Sequence, residues 1–116
     1  MDEKVEYSLV IAIVNSGNTD LVMEGARNAG ARGGTTLRAR GTGNIELEKF
    51  YGIPIQSEKE MVLIIVNDDI TEKVMESIYK AAGLETPGHG IVFSQKIDNV
   101  IGLSAIDLTK ENIEEN

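Results

Sequence analysis

The residues best suited to chemistry in this chain of 116 are glycines. Three clusters stand out: Gly30-Ala31-Arg32-Gly33-Gly34, Gly41-Thr42-Gly43 and Pro87-Gly88-His89-Gly90. Glycine lets successive backbone N–H groups turn into one concavity, the geometry that cradles an anion. None of the three matches the phosphate-loop or dinucleotide fingerprints, and each read alone is a turn before it is a phosphate site. The first is read as a helix C-cap and turn. The other two carry more weight because they fall at strand ends. His89 is the only histidine and there is no cysteine, so a zinc site has no ligand set. From its loop His89 is placed either to touch a ligand phosphate or base or to stand in solvent. Arg38 and Arg40 lie two apart in a β-like run and therefore point the same way. They suit a phosphate, or an exposed charged edge.

No catalytic constellation accompanies these groups. The hydroxyls have no histidine in a recognisable nucleophile motif. The paired carboxylates Asp68-Asp69 fall at a helix start, where capping explains them. An acylphosphatase would need an arginine-ended glycine loop, and none is present. The chemistry on offer is binding, and the expectation is a regulator rather than an enzyme.

The elements that must position these groups come in two similar halves. Val10-Ile11-Ala12-Ile13-Val14-Asn15 is echoed 52 positions later by Val62-Leu63-Ile64-Ile65-Val66-Asn67, and Val22-Met23-Glu24 by Val74-Met75-Glu76. One residue of slippage later, Ala29-Gly30 matches Ala82-Gly83. The spacing predicts a strand over Tyr7 to Asn15, a helix capped by Asn18 or Thr19 and ended by Gly30, and a second strand over Gly34 to Arg40. Val22, Gly25, Ala26 and Ala29 form one small helix face that can lie close to a sheet. The second half repeats the pattern: a strand over Met61 to Asn67, and a helix opened by the capping-box-like Asp69-x-x-Glu72 with Val74, Ile78, Ala81 and Ala82 at helical spacing. It closes with a strand over Gly90 to Lys96, with Asn99 to Ile106 either extending it or forming a short further strand.

βαβ followed by βαβ at this length implies an α+β ferredoxin-like βαββαβ sandwich, a four-stranded antiparallel sheet with two helices on one face. Leu9 to Val14 and Met61 to Val66 are apolar at every position, which asks for cover on both faces. The helices cover one. A second copy of the chain is the expected cover for the other.

Composition narrows the partners. The net charge of −8 offers no counterion release, so nucleic acid is not an expected ligand. An acidic membrane surface would repel the chain. No apolar run is long enough for a membrane span, and Met1-Asp2-Glu3-Lys4 lacks the marks of a signal peptide. A cytoplasmic location is expected. With aromatics at 4% and no tryptophan, the core must be aliphatic. The acidic stretch 107–116 reads as a solvated tail.

Taken in order, these motifs resemble the P-II nitrogen regulatory family from about Tyr7 to Leu103. The pieces that carry the resemblance are Ala29-Gly30-Ala31-Arg32-Gly33-Gly34-Thr35-Thr36 leading to Arg40-Gly41-Thr42-Gly43, the turn Val66-Asn67-Asp68-Asp69, and Thr86-Pro87-Gly88-His89-Gly90. The resemblance implies one domain over residues 1–106, assembled as a homotrimer that binds a small effector, an adenine nucleotide (ATP, ADP or AMP), in clefts between subunits. It implies a partner-contacting T-loop over 44–58, with Lys49, Phe50 and Tyr51 as its sticky side chains, and a B-loop over 85–90. The regulated partner would be a membrane transporter or a metabolic enzyme, in nitrogen regulation. Thr35, Gly41, Gly43, Lys59, Gly88, His89 and Gly90 would line the nucleotide cleft, with Arg38 or Arg40 as phosphate contacts. Three cations of the family pattern are missing: Ile91 stands where a lysine follows the B-loop glycines, and Gly102 and Ser104 stand where two arginines occur. Ile45 replaces a glutamine, and the T-loop is shorter. Fewer cations imply an effector with fewer phosphates than ATP. Two alternatives remain open on the residues: a CutA-like trimer linked to metal tolerance, which the lack of tryptophan and of clustered ligands disfavours, and an interaction module whose glycines serve only as turns.

Overall fold

The computed structural model describes residues 5–42 and 56–103. Its elements run β1 (Tyr7–Asn15), α1 (Thr19–Asn28), β2 (Thr35–Thr42), β3 (Gln56–Asn67), a 3₁₀ turn (Asp68–Ile70), α2 (Thr71–Ala81) and β4 (Gly90–Ile97). The sheet order is β2-β3-β1-β4, and every neighbouring pair is antiparallel. This is the ferredoxin-like arrangement, with β1 and β3 central and the two crossovers made by α1 and α2.

The covered face holds the core. Val10, Ala12 and Val14 of β1 and Val62, Ile64 and Val66 of β3 pack against Val22 and Ala26 of α1 and Val74 and Ile78 of α2. β1 is apolar along most of its length, yet its burial alternates strictly between buried and half-buried, because helices cover only one side. On the other side lie Leu9, Ile11 and Ile13, with register partners Ile65, Leu63 and Met61 on β3 and Gln95, Phe93 and Ile91 on β4. Leu37 on β2, opposite Met61, joins them. Leu37, Ile65, Ile91 and Phe93 are each 40% exposed or more, so this face is an uncovered apolar surface.

The internal repeat is structural. Val22 and Val74, and Ala26 and Ile78, are fully buried counterparts at the repeat offset. The Ser16 N–H donates to the Glu58 carbonyl at 3.0 Å, and the Asp68 N–H to the Glu6 carbonyl at 2.8 Å, again counterparts. Both helices end alike: the Ala31 N–H reaches back to Ala26 O and the Leu84 N–H to Tyr79 O, each at 2.9 Å. Gly30 and Gly83 take the positive φ these endings require. Where the helices cross, Gly25 of α1 meets Ser77 of α2, its own counterpart. The Ser77 hydroxyl donates to the Gly25 carbonyl at 2.6 Å. A Cβ at Gly25 would stand 2.8 Å from Ser77 O and 2.9 Å from Ala81 Cβ, so close packing here depends on glycine.

Several local expectations are corrected. The capping box at Asp69 and Glu72 does not form: the chain makes a 3₁₀ turn first, and the N-cap position of α2 falls on Ile70. Asn18 is the N-cap of α1 but makes no side-chain capping bond. β3 begins at Gln56, so residues 56–58 of the expected 44–58 loop are strand, paired with Thr42, Gly41 and Arg40. The last strand stops at Ile97, and residues 98–103 are not strand. Gly43, Ile45, Lys49, Phe50, Tyr51, Ser104 and the tail 107–116 lie outside the described residues.

Candidate functional site

Antiparallel order brings four chain segments to one end of the sheet: the end of β1 at Asn15, the end of β2 at Gly41, the start of β3 near Lys59, and the loop entering β4 at Gly88 and Gly90. Gly41 and the Gly88–Gly90 loop lie at this same end, on the two outer strands with β3 and β1 between them, because β2 finishes where β4 begins. The repeat does not cause this; the counterpart of the loop before β4 is the Gly33-Gly34 segment before β2, at the opposite end of the sheet.

The polar groups at this end are linked. The Lys59 ammonium donates to Asn15 Oδ1 at 2.6 Å. The Asn15 amide nitrogen in turn donates to the Gly88 carbonyl at 3.2 Å. A Cβ on Gly41 would lie 3.1 Å from Lys59 Cε and 3.3 Å from its Cγ, so the lysine stem lies flat across a strand with no side chain to displace it. Gly90, at φ +148°, has Ile13 O only 2.5 Å from where a Cβ would sit. That contact fixes the entry into β4. His89 is exposed and turns the other way: its Nδ1 is 3.0 Å from the Gly83 carbonyl, so Nδ1 is the donor and the ring pins the 84–90 loop to the end of α2.

Thr35 shares the uncovered face with Gly41 and Lys59 but lies at the start of β2, six residues, or about 20 Å, along the strand from Gly41. Arg38 and Arg40 point together, on the helix-bearing face, where their register partners are Glu60 and Glu58. The structure therefore gathers Gly41, Lys59, Gly88 and Gly90, sets Thr35 at the far end of the same face, and turns Arg38 and Arg40 away. Asn15 was missed by motif reading. Its signal was the repeat, which pairs it with Asn67 after an apolar run. Ile91, at the departure from the family lysine, is 57% exposed beside Ile13, an apolar flank to the one lysine.

Other polar clusters lie elsewhere. At the opposite end of the sheet the Ser8 hydroxyl donates to Asp68 Oδ1 at 2.6 Å, and Lys96 bridges Glu6 at 2.9 Å and Asp68 at 3.1 Å. The hydrogen bonds from Ser8 and then Lys96 hold the Asp68 carboxyl below its ordinary range; those from Lys96 to Glu6 and Asp68 push its ammonium above its own. A cavity of about 400 Å³ adjoins this network, between Glu6, Tyr7, Lys96, Ile97 and Val100. Another of about 220 Å³ lies between the helices, at Asn28, Lys73, Ser77 and Lys80. Neither touches the Lys59 end. Among the described residues no group of three or more His, Asp or Glu is placed to hold a metal, and no helix is long and apolar enough to cross a membrane.

The model of the family "Nitrogen regulatory protein P-II" matches residues 7–105. The chain belongs to the P-II family. This P-II chain is 31% identical over 101 residues to the nitrogen regulatory protein P-II of Pyropia yezoensis, covering 87% of this chain and 83% of the relative. Its fold is also that of solved P-II structures. It is similar to the B. subtilis GlnK–ATP complex, with a TM-score of 0.66 and 19% identity, over 83% of this chain and 85% of the other. It is likewise similar to Arabidopsis thaliana PII bound to citrate, with a TM-score of 0.66 and 24% identity, over 84% and 83%.

Proposed function

We propose that this P-II-family chain is a signal-transduction protein and not an enzyme: a homotrimer that binds a small anionic effector, an adenine nucleotide, between subunits and regulates a transporter or enzyme through the 44–58 loop. The observation that carries the reading is the placement of Gly41, Lys59 and the Gly88–Gly90 loop at one end of an uncovered apolar sheet face. The glycines leave backbone open to a phosphate, Lys59 supplies the charge, and a second subunit on the apolar face completes the walls.

A nucleotide laid along the open side of β2 with its phosphate end at Lys59 would point toward Thr35 without spanning the about 20 Å to it. The charge supply sets which nucleotide. Ile91 and Gly102 bring no cation, and Arg38 and Arg40 face away, so each further phosphate on the ligand lacks a charge-assisted bond that stabilises by about 1.5–3 kcal/mol. AMP or ADP is favoured over ATP on this ground. The ATP of the B. subtilis relative and the citrate of the Arabidopsis relative support an anionic small molecule as the general effector class. Such binding would alter how the 44–58 segment fits a partner.

Thermal-shift titration with ATP, ADP, AMP and cyclic AMP at millimolar concentration tests the ligand, and light scattering after gel filtration tests the assembly. AMP or ADP should raise the melting temperature of the wild type and leave Lys59→Met unmoved. A trimer that no nucleotide shifts would refute the effector and leave an interaction module.

A further inference from the structure

We infer that Asn15 is a positioning residue that makes occupation of Lys59 and the conformation of the 84–90 loop a single event. The inference rests on the effector reading for Lys59 but names a residue and a route which that reading does not contain. The Asn15 side chain is the one group described here that bonds both segments: its oxygen accepts from Lys59 at 2.6 Å and its nitrogen donates to the Gly88 carbonyl at 3.2 Å. The amide orientation is fixed by chemistry, since an ammonium can only donate and a carbonyl can only accept.

The link continues on both sides. Beyond Gly88, His89 ties the loop to Gly83, the residue that ends α2. Beyond Lys59, the lysine stem crosses Gly41 of β2. Asn15 thus joins the end of a helix to the base of the β2–β3 hairpin through a lysine and a loop carbonyl. It is the last residue of the central strand β1, in register with Lys59 on β3.

The consequence is competition. An anion that pulls the Lys59 ammonium beyond hydrogen-bond reach takes it from Asn15 Oδ1. The amide then loses the partner that sets its rotation, and the Gly88 carbonyl loses a fixed donor. Loop 84–90 responds although no part of it need touch the anion. Replacing Asn15 separates the two events: Lys59 still meets the anion, and the loop no longer registers it.

His89 is the only histidine, so its ring protons give an isolated NMR signal within the loop. In wild-type protein, AMP, or inorganic phosphate as the minimal anion, should shift the His89 signals. In Asn15→Ala, calorimetry should show AMP still binding, while the His89 signals stay in place. In Asn15→Asp, AMP affinity should fall about tenfold or more, because a carboxylate holds the ammonium more strongly than an amide does. Full His89 shifts in Asn15→Ala, or wild-type affinity in Asn15→Asp, would overturn the inference. If wild-type protein binds neither probe, the effector reading fails, and the link is decided on the ligand-free chain. Amide exchange at His89 should then rise about tenfold in Asn15→Ala, as for loss of one supporting hydrogen bond, with exchange at core Ile64 unchanged. Unchanged exchange at His89 would refute the link.

Discussion

Gly25→Ala isolates the helix–helix contact that the repeat builds. In most exposed helices this change stabilises, because alanine is favoured over glycine by about 0.8–1 kcal/mol. Here the new methyl would sit 2.8 Å from Ser77 O and 2.9 Å from Ala81 Cβ. The first obstacle is backbone and the second a helix-borne methyl, so neither can swing aside. The helices must separate by several tenths of an ångström, at an overpacking cost of about 1–3 kcal/mol. Separation also stretches the 2.6 Å bond from Ser77 to the Gly25 carbonyl, worth about 1 kcal/mol. Setting the propensity gain against both leaves a net loss of about 1–3 kcal/mol. At a urea m-value of about 2 kcal/mol/M, the midpoint drops by about 1 M. Chain concentration must be matched, because assembly adds to apparent stability. Gly33→Ala is the control: nothing lies within 4 Å of its Cβ position, so it should be neutral or stabilise by about 0.4–1 kcal/mol. A Gly25→Ala protein as stable as wild type would show that the helices do not pack this closely.

Other expectations are as direct. Gly90→Ala combines a positive φ with a Cβ 2.5 Å from Ile13 O; it should lower stability by about 2 kcal/mol or more and disturb the β1–β4 pairing, seen as faster amide exchange along β4. Ile65→Lys, which puts a charge on the uncovered face, should dissociate the proposed trimer without unfolding the chain, read by light scattering alongside circular dichroism. The Asp68 carboxyl is depressed in the folded state, so its contribution is present above the ordinary aspartate range and is lost as pH falls below about 4. Ser8→Ala removes the largest cause of that depression and should flatten the acid limb of the stability profile. Lys96 has the opposite sign: its contribution holds below the ordinary lysine value and fades as pH rises past about 10. A Lys96→Met protein should lose that alkaline dependence.

Much of the fold was legible because hydrophobic period, helix-ending glycines and the repeat all agreed. Val22 and Val74 landed in the core at matching places, and Gly30 and Gly83 ended both helices. The errors came where local signals competed. Asp69 and Glu72 had the spacing of a capping box, but Asp68 was drawn to Ser8 and Lys96, residues remote in sequence, and the turn before α2 followed. The start of β3 was set too late because Gln56-Ser57-Glu58-Lys59-Glu60 is polar and reads as loop; pairing with β2 makes it strand. At the candidate site, Gly41, Gly88, Gly90 and Lys59 were singled out by motif resemblance, and the strand order sets them at one end of the sheet. Asn15 was not, because a side chain that links two segments through a lysine and a carbonyl has no local pattern. The direction in which Arg38 and Arg40 point was set by strand register, which spacing within one strand cannot supply.

The repeat exchanges the two ends of the sheet, and so gives the chain two mouths of the same design. Ser8 and Glu60 stand at equivalent positions, as do Asn15 and Asn67. At one mouth the Glu60 carboxylate accepts from the Gly17 N–H at 3.0 Å; at the other, Ser8 gives its hydroxyl to Asp68, and Lys96 closes over the pair. One mouth has been stitched shut with charges that satisfy one another. The other keeps, among the described residues, one ammonium on a neutral amide, a partner weak enough to be exchanged. A twofold plan has thus been made one-sided: charge answers charge at one rim, and a cation rests on an uncharged partner at the other.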